Sequence, residues 1–81
     1  MTRVAKKACE VLNVELESIK KRSKGNSLSE ARALVCYWAC RELGISGKDA
    51  AEFLGISNPA VSKNILRGEK VERERGYKLI S

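Results

Sequence analysis

A short polar segment carries the side chains best suited to recognition chemistry. Residues 57–67 hold hydroxyl, amide, amine and guanidinium groups within one expected helix. Helical spacing places several of them on a single outward side, and donors and acceptors of this kind fit the base edges in the major groove of duplex DNA. The residues expected on this side are Asn58, Pro59, Ser62, Lys63 and Leu66.

The same residues do not form a catalytic group. The chain has no histidine, so the most common general base is missing. No pair of carboxylates lies in an apolar setting, Ser57 and Ser62 have no recognisable base, and no glycine-rich phosphate loop is present. We therefore expect no enzyme activity, no cofactor and no small-molecule substrate.

The three cysteines do not indicate a metal site. Cys36 and Cys40 have helical i, i+4 spacing, but structural zinc needs about four ligands and only Cys9 remains. An odd number of cysteines without a secretory signal also argues against a disulfide framework and for a cytoplasmic protein. Residues 33–40, the longest apolar run, are too few to cross a bilayer. We expect packed thiols, no metal and no membrane partner.

Charge favours a polyanionic partner. Sixteen Lys and Arg against ten Asp and Glu give a net charge of +6 over 81 residues. The densest basic run is followed by Gly25 and Asn26, and it is either a solvated loop or a clamp for phosphates. Its cations are Lys20, Lys21, Arg22 and Lys24.

Hydrophobic periodicity predicts the helices that position these groups. A first helix should run from Thr2 to Leu12, with a stop at Asn13 and a short helix after it. Ser27 and Glu30 have capping-box spacing and should open a third helix that ends at Leu43, before Gly44. Its middle is apolar on nearly every face, so Tyr37 and Trp38 are expected in the core rather than stacked on bases.

A helix-turn-helix is predicted at residues 46–67. Ser46 and Asp49 cap a short helix that Gly55 ends, and Ser57 caps a last helix from about Asn58 to Arg67. Contacts between the two helices are expected from Ala51, Leu54, Ile56, Val61 and Ile65.

The fold class is thus an all-α, small multi-helix bundle in a single domain, 1–81. Asn64 departs from the helix-turn-helix pattern, since its position is usually apolar; we expect a slightly rotated helix or a cap on a neighbour. Residues 68–81 are expected to form a charged extension, helical and solvated, anchored by Val71.

The order of these features resembles the C-terminal DNA-binding domain of the bacterial replication initiator DnaA. The matching stretches are Ala-Cys-Glu at 8–10, Asn-Val-Glu-Leu at 13–16, the basic run at 20–24 and Ala-Cys-Arg-Glu-Leu at 39–43. The likeness covers roughly residues 4–67. The initiator signature Gly-Gly-Arg-Asp-His is replaced here by Gly-Ile-Ser-Asn-Pro at 55–59, so binding to a replication origin is not implied.

A closer resemblance is to the initiator-like domain at the C-terminus of bacterial transposases related to the tyrosine transposases of repetitive extragenic elements. The shared stretches are Arg-Glu-Leu-Gly-Ile-Ser at 41–46 and Ala-Val-Ser at 60–62. Such transposases cut DNA with a separate domain that uses a tyrosine and paired histidines. Without histidine, this chain would be the DNA-binding tail of a transposase-like protein, a partner to that absent catalytic domain.

Several hypotheses remain at this point. The first is a sequence-selective module for double-stranded DNA, acting as a transposase tail, as a stand-alone transcriptional regulator or as a homodimer. Asn58, Ser62 and Lys63 would contact bases, and Ser57 with the first helical amides would hold a phosphate. The second is a protein-interaction module that uses Leu66 and Val71. RNA binding ranks third. The cations expected on backbone phosphates are Lys48, Lys20, Lys21, Arg22, Lys24 and Arg67.

Overall fold

The chain is built from helices that enclose one core. The computed structural model describes residues 2–20 and 26–76, with the backbone alone for residues 20, 26 and 27. These ranges contain four α-helices and no strand, which confirms the predicted all-α fold. The helices are α1 (Thr2–Leu12), α2 (Asn26–Tyr37), α3 (Gly47–Leu54) and α4 (Asn58–Arg75).

The first helix ends where its sequence predicts. Asn13 has a left-handed φ of +55°, and the amide of Val14 bonds the carbonyl of Cys9 at 3.0 Å. These are the features of a C-terminal cap in which an asparagine replaces the usual glycine. The predicted short helix follows as one 3-10 turn, Leu16–Lys20, and Ile19 in it is fully buried.

The second helix is the centre of the core, as its sequence predicts. It begins at Asn26, so the cap expected at Ser27 is wrong, because Ser27 already lies within the helix; its side chain lies outside the described residues. After Tyr37 the chain widens into a π-helical turn, Trp38–Glu42, before Gly44 ends it with a φ of +69°. Trp38 is fully buried and Tyr37 is half-buried, so the core assignment of Trp38 is confirmed.

The last helix is longer than its sequence predicts. The boundary expected at Arg67 is wrong, because α4 continues without a break through Gly68; the helical extension expected after it is confirmed as far as Arg75. Gly68 is buried against α2, and its missing side chain lets the two helices approach more closely than any other residue would. Val71 is buried, which confirms its role as an anchor, and the expectation that it is exposed beside Leu66 for a protein contact is wrong. Residues 70 and 73–75 are exposed, as expected of a solvated extension. Residues 77–81 lie outside the described part.

The core consists of small and branched apolar side chains from every helix. Among the described residues, no polar or charged residue is buried and no buried side-chain nitrogen or oxygen lacks a hydrogen-bond partner. None of the described helices combines the length and the apolar character needed to cross a bilayer. The most extensive helix contact is between α2 and α4, so the position of α4 depends mainly on α2.

Candidate nucleic-acid interface

The turn between α3 and α4 has the local geometry that its sequence predicts. Ser46 Oγ accepts a bond from the amide of Asp49 at 3.1 Å and caps α3. Gly55 ends that helix with a φ of +68°, a conformation that glycine adopts without steric cost. Ser57 then caps α4, because its Oγ accepts from the amide of Ala60 at 3.3 Å. Two caps and one left-handed glycine thus fix how α3 leads into α4.

Apolar side chains hold the two helices together. Ala51, Leu54 and Val61 are buried, while Ile56 and Ile65 are half-buried and pack against the same core. This agrees with the five contact positions expected from the sequence. Burial of Val61 fixes which side of α4 faces inward, and therefore which side faces out.

The opposite side of α4 is open to solvent. Ser62 and Lys63 are both exposed, and Leu66 keeps 66% of its surface accessible. All of the candidate residues on α3 and α4 share this exposure: Lys48, Ser57, Asn58, Pro59, Ser62, Lys63, Leu66 and Arg67. The structure thus brings the predicted α4 residues together along one accessible side.

The start of α4 offers fewer backbone donors than its sequence suggests. Pro59 has no amide hydrogen, and the amide of Ala60 is bonded to Ser57. The amide of Asn58, the first of α4, has no acceptor within its own helix. A phosphate placed here would therefore meet that one amide, the Ser57 hydroxyl and the positive end of the helix dipole.

Arg67 is oriented by the neighbouring helix. Its Nη1 donates a hydrogen bond to Oγ of Ser29, in the first turns of α2. The guanidinium is exposed, and its remaining N–H groups can still reach an anion. This bond places the start of α2 beside the exposed side of α4, a proximity that the sequence did not reveal.

Charge is distributed unevenly along α4. Residues 58–68 contain Lys63 and Arg67 and no carboxylate, whereas residues 69–75 contain three cations and three carboxylates. Two of the three cations form i, i+4 ion pairs on the surface, Arg73 with Glu69 at 2.9 Å and Lys70 with Glu74 at 3.9 Å. The first half of α4 is therefore the electropositive half. On α3, exposed Lys48 has two exposed carboxylates near it in sequence, Asp49 and Glu52.

The pKa of Tyr37 indicates which carboxylates of residues 69–75 lie near the end of α2. Partial burial raises the pKa of Tyr37, and the nearby carboxylates of Glu72, Glu42 and Glu69 raise it further, while Arg41 acts in the opposite direction. The negative side of this half thus faces the end of α2. A polyanion would therefore be attracted more strongly to the start of α4 than to residues 69–75, whose cations and carboxylates are equal in number.

A hydrogen bond within α4 explains how Asn64 is accommodated at a position where the expected pattern has an apolar residue. Its Nδ2 donates to the carbonyl of Ala60, one turn earlier in the same helix, at 3.0 Å. The side chain is half-buried, and it satisfies its donor within α4 instead of capping a neighbouring element. An asparagine is therefore accommodated where similar helix pairs carry an apolar residue.

The basic run at 20–24 lies outside the described residues, apart from the backbone of Lys20. What the structure shows is how the preceding turn is fixed. Arg32 Nε donates to the carbonyl of Ile19 at 2.7 Å, and its Nη2 reaches the carbonyl of Ser18 at 3.4 Å. Arg32 is a single charge within the apolar middle of α2, and that charge was the available signal in the sequence for this contact.

The cysteines are separate from this surface. Cys9 and Cys36 are buried, Cys40 is half-buried, and all three are free thiols. Burial, assisted by neighbouring Cys40, raises the pKa of Cys36 to about 12, so its thiolate is strongly disfavoured. Within residues 2–20 and 26–76, no group of three or more potential ligands could hold a metal ion.

Comparison with known proteins adds no family to this description. No protein-family model matches the chain, and neither curated proteins nor solved structures show a significant similarity to it. The interpretation of the α3–α4 surface therefore depends on its own geometry and charge.

Proposed function

We propose that the chain is a sequence-selective DNA-binding module whose α3–α4 pair acts as a helix-turn-helix. The observation that carries the proposal is the composition of the accessible side of residues 58–67, which is mostly small and polar, carries Lys63 and Arg67 beside one exposed leucine, and has no carboxylate. An α-helix with such a side fits the major groove, where amide and amine groups distinguish base pairs.

In this proposal the exposed residues have separate tasks. Asn58, Ser62 and Lys63 contact base edges, and Ser57 with the Asn58 amide holds a phosphate. Arg67, kept in place by Ser29, contacts the backbone next to the groove. Lys48 and the cations at 20–24 add backbone contacts that set the register. Catalysis has no part in this scheme, and we expect no turnover of DNA by the purified chain.

A salt titration tests the proposal. With about five phosphate contacts, log affinity for duplex DNA should fall with a slope near −4 to −5 against log salt. The duplex is first selected from a random library, and a scrambled duplex of equal length serves as the control. A flat salt response, or equal affinity for both duplexes, would rule the proposal out.

One observation favours a second function, docking to another protein. Leu66 is the most exposed large apolar side chain among the described residues, and its burial against a partner would be favourable. Substitution of Asn58 and Lys63 by alanine separates the two functions. The double variant should lose its duplex preference as a DNA-binding module and keep its partner as a docking module.

The resemblance to transposase tails concerns the surrounding protein rather than this surface. As part of this proposal, the module would deliver a separate catalytic domain to its DNA site. Tethering would also compensate for the weak binding expected of one helix-turn-helix, as would pairing of two copies.

A further inference from the structure

The far half of α4 is tied to the core by one directional bond. Trp38, the only tryptophan, is fully buried, and its indole Nε1–H donates to Oε2 of Glu72. A buried N–H without an acceptor is strongly unfavourable, so this carboxylate satisfies a requirement of the core. Glu72 is only half-buried, yet the group it bonds lies entirely inside.

This bond is part of a row of contacts between α4 and α2. Arg67 bonds Ser29, Gly68 lies against Ala33, and Arg75 Nε pairs with Glu30 at 3.1 Å. On α4, all of these contacts are made by Arg67 or by residues that follow it. The preceding residues of α4, which carry the proposed base contacts, are held mainly through Val61 and Ile65.

Because α4 is one continuous helix, the contacts that hold residues 69–75 also set the direction of residues 58–68. Ser62 and Glu72 are ten residues apart, or about 15 Å along the axis. A tilt of α4 about Glu72 would therefore displace the base-contacting groups in proportion to that length of helix. The other fixed points differ in kind: Gly68 limits the distance between the helices, and the Arg75–Glu30 pair is partly exposed.

We propose that Glu72, acting through Trp38, is a positioning residue for the DNA-contacting half of α4. It does not touch DNA; it fixes the angle at which Asn58, Ser62 and Lys63 are presented. The proposal rests on the function proposed above, and it assigns to one bond a share of sequence selectivity. Base contacts tolerate misplacement poorly, whereas phosphate contacts by flexible lysines tolerate it well.

Two substitutions of one residue separate the bond from the charge. Glu72→Gln and Glu72→Leu remove the same negative charge, but only glutamine keeps a side-chain oxygen to accept from the indole. Trp38→Phe removes the donor, and it also removes some volume from the core. Glu74→Leu is the control, since Glu74 is exposed on the same helix and paired only with Lys70 among the described residues.

The measured quantity is the ratio of affinities for the selected and the scrambled duplex, at one salt concentration. Glu72→Leu and Trp38→Phe should lower this ratio about tenfold, the effect of losing one specific base contact. Glu72→Gln and Glu74→Leu should stay within about threefold of the unsubstituted chain. The salt slope should be the same in all folded variants, because the phosphate contacts remain.

A second measurement is independent of DNA. Trp38 gives the only indole N–H signal in a proton–nitrogen correlation spectrum. We expect this signal to move strongly in Glu72→Leu, slightly in Glu72→Gln and not in Glu74→Leu. If Glu72→Leu does not fold, the affinity ratio of Trp38→Phe is compared with that of Glu72→Gln instead. This comparison also sets a variant without the bond against one that keeps it.

The outcomes separate this inference from the function on which it rests. A folded Glu72→Leu with the unsubstituted ratio, or equal losses in Glu72→Gln and Glu72→Leu, overturns the positioning role and leaves the DNA-binding proposal intact. An unsubstituted chain that shows no preference for any duplex overturns both.

Discussion

The backbone of Gly68 on α4 lies directly against the carbonyl group of Ala33 on α2. A Cβ at residue 68 would overlap the Ala33 oxygen and lie 2.6 Å from Cβ of Tyr37. A glycine inside a helix normally costs about 1 kcal/mol relative to alanine. Here it allows the closest contact between the two principal helices of the bundle, which explains its place in the middle of α4.

Gly68→Ala should destabilise the protein in spite of alanine's better helix propensity. The obstacle is backbone of α2, which cannot turn aside as a flexible side chain would, so α4 must shift. We expect a loss of about 1–3 kcal/mol in the free energy of unfolding, measured by guanidinium titration. A variant as stable as the unsubstituted chain would show that the helices do not approach so closely.

Gly47→Ala is the matched control for that experiment. Gly47 has no left-handed backbone, and a Cβ there would lie 3.8 Å from Cγ1 of Val61, an ordinary contact. The same chemical change should therefore be neutral or should stabilise by up to about 1 kcal/mol through the unfolded state. Of the two substitutions, only Gly68→Ala should destabilise the protein.

Removal of the cap on α4 should also be measurable without DNA. Ser57→Ala deletes the oxygen that accepts from the amide of Ala60, at a cost of about 0.5–2 kcal/mol, while Ser57→Gly should cost only a few tenths. Thermal unfolding monitored by circular dichroism gives both values. Ser62→Ala, an exposed serine in the same helix, should be nearly neutral; an equal loss there would argue against the capping role of Ser57.

Two lysines on the same side of α4 test which half contacts DNA. Lys63 and Lys70 are both exposed and seven residues apart, about 10 Å along the helix. Lys63→Ala should weaken binding to the selected duplex about tenfold or more and relax its preference. Lys70→Ala removes the same charge beside the carboxylates and should have a clearly smaller effect. Fluorescence anisotropy with labelled duplexes measures both, and the reverse order would place the interface on the other half.

Alkaline pH should destabilise the fold through Cys36. Its pKa rises from an ordinary value of 9.0 to about 12 on folding, because burial disfavours the thiolate. The folded state thus holds a proton that the unfolded state releases, so this contribution is complete below pH 9 and is lost between pH 9 and about 12. Urea titrations across that range measure the slope.

Cys36→Ala should make the alkaline slope shallower without abolishing it. The pKa values of Cys9, Cys40 and Tyr37 are raised as well, and their contributions remain. Thiol labelling at pH 8 gives a second check: half-buried Cys40 should react before Cys36, since reactivity requires an accessible thiolate. Fast labelling of Cys36 in the folded chain would contradict its burial.

Local interactions are what the sequence by itself determined. The start of α3, the turn at Gly55 and the cap at Ser57 depend on residues within four positions of each other, so serine, glycine and proline spacing was sufficient. The density of apolar residues in the central helix likewise predicted that Trp38 is buried. The exposed side of α4 followed from the burial of Val61 and from helical periodicity.

Only the tertiary structure decided how α4 continues and what fixes it. A glycine inside a helix is unfavourable by local rules, and its place in α4 is explained only by its close contact with Ala33, thirty-five residues away in the chain. The bonds of Trp38 to Glu72 and of Arg67 to Ser29 also join distant positions, and a glutamate among alternating charges gives no local sign that it accepts from a buried indole. Such pairings exist only once α2 and α4 have packed, because packing brings the partners within bonding distance.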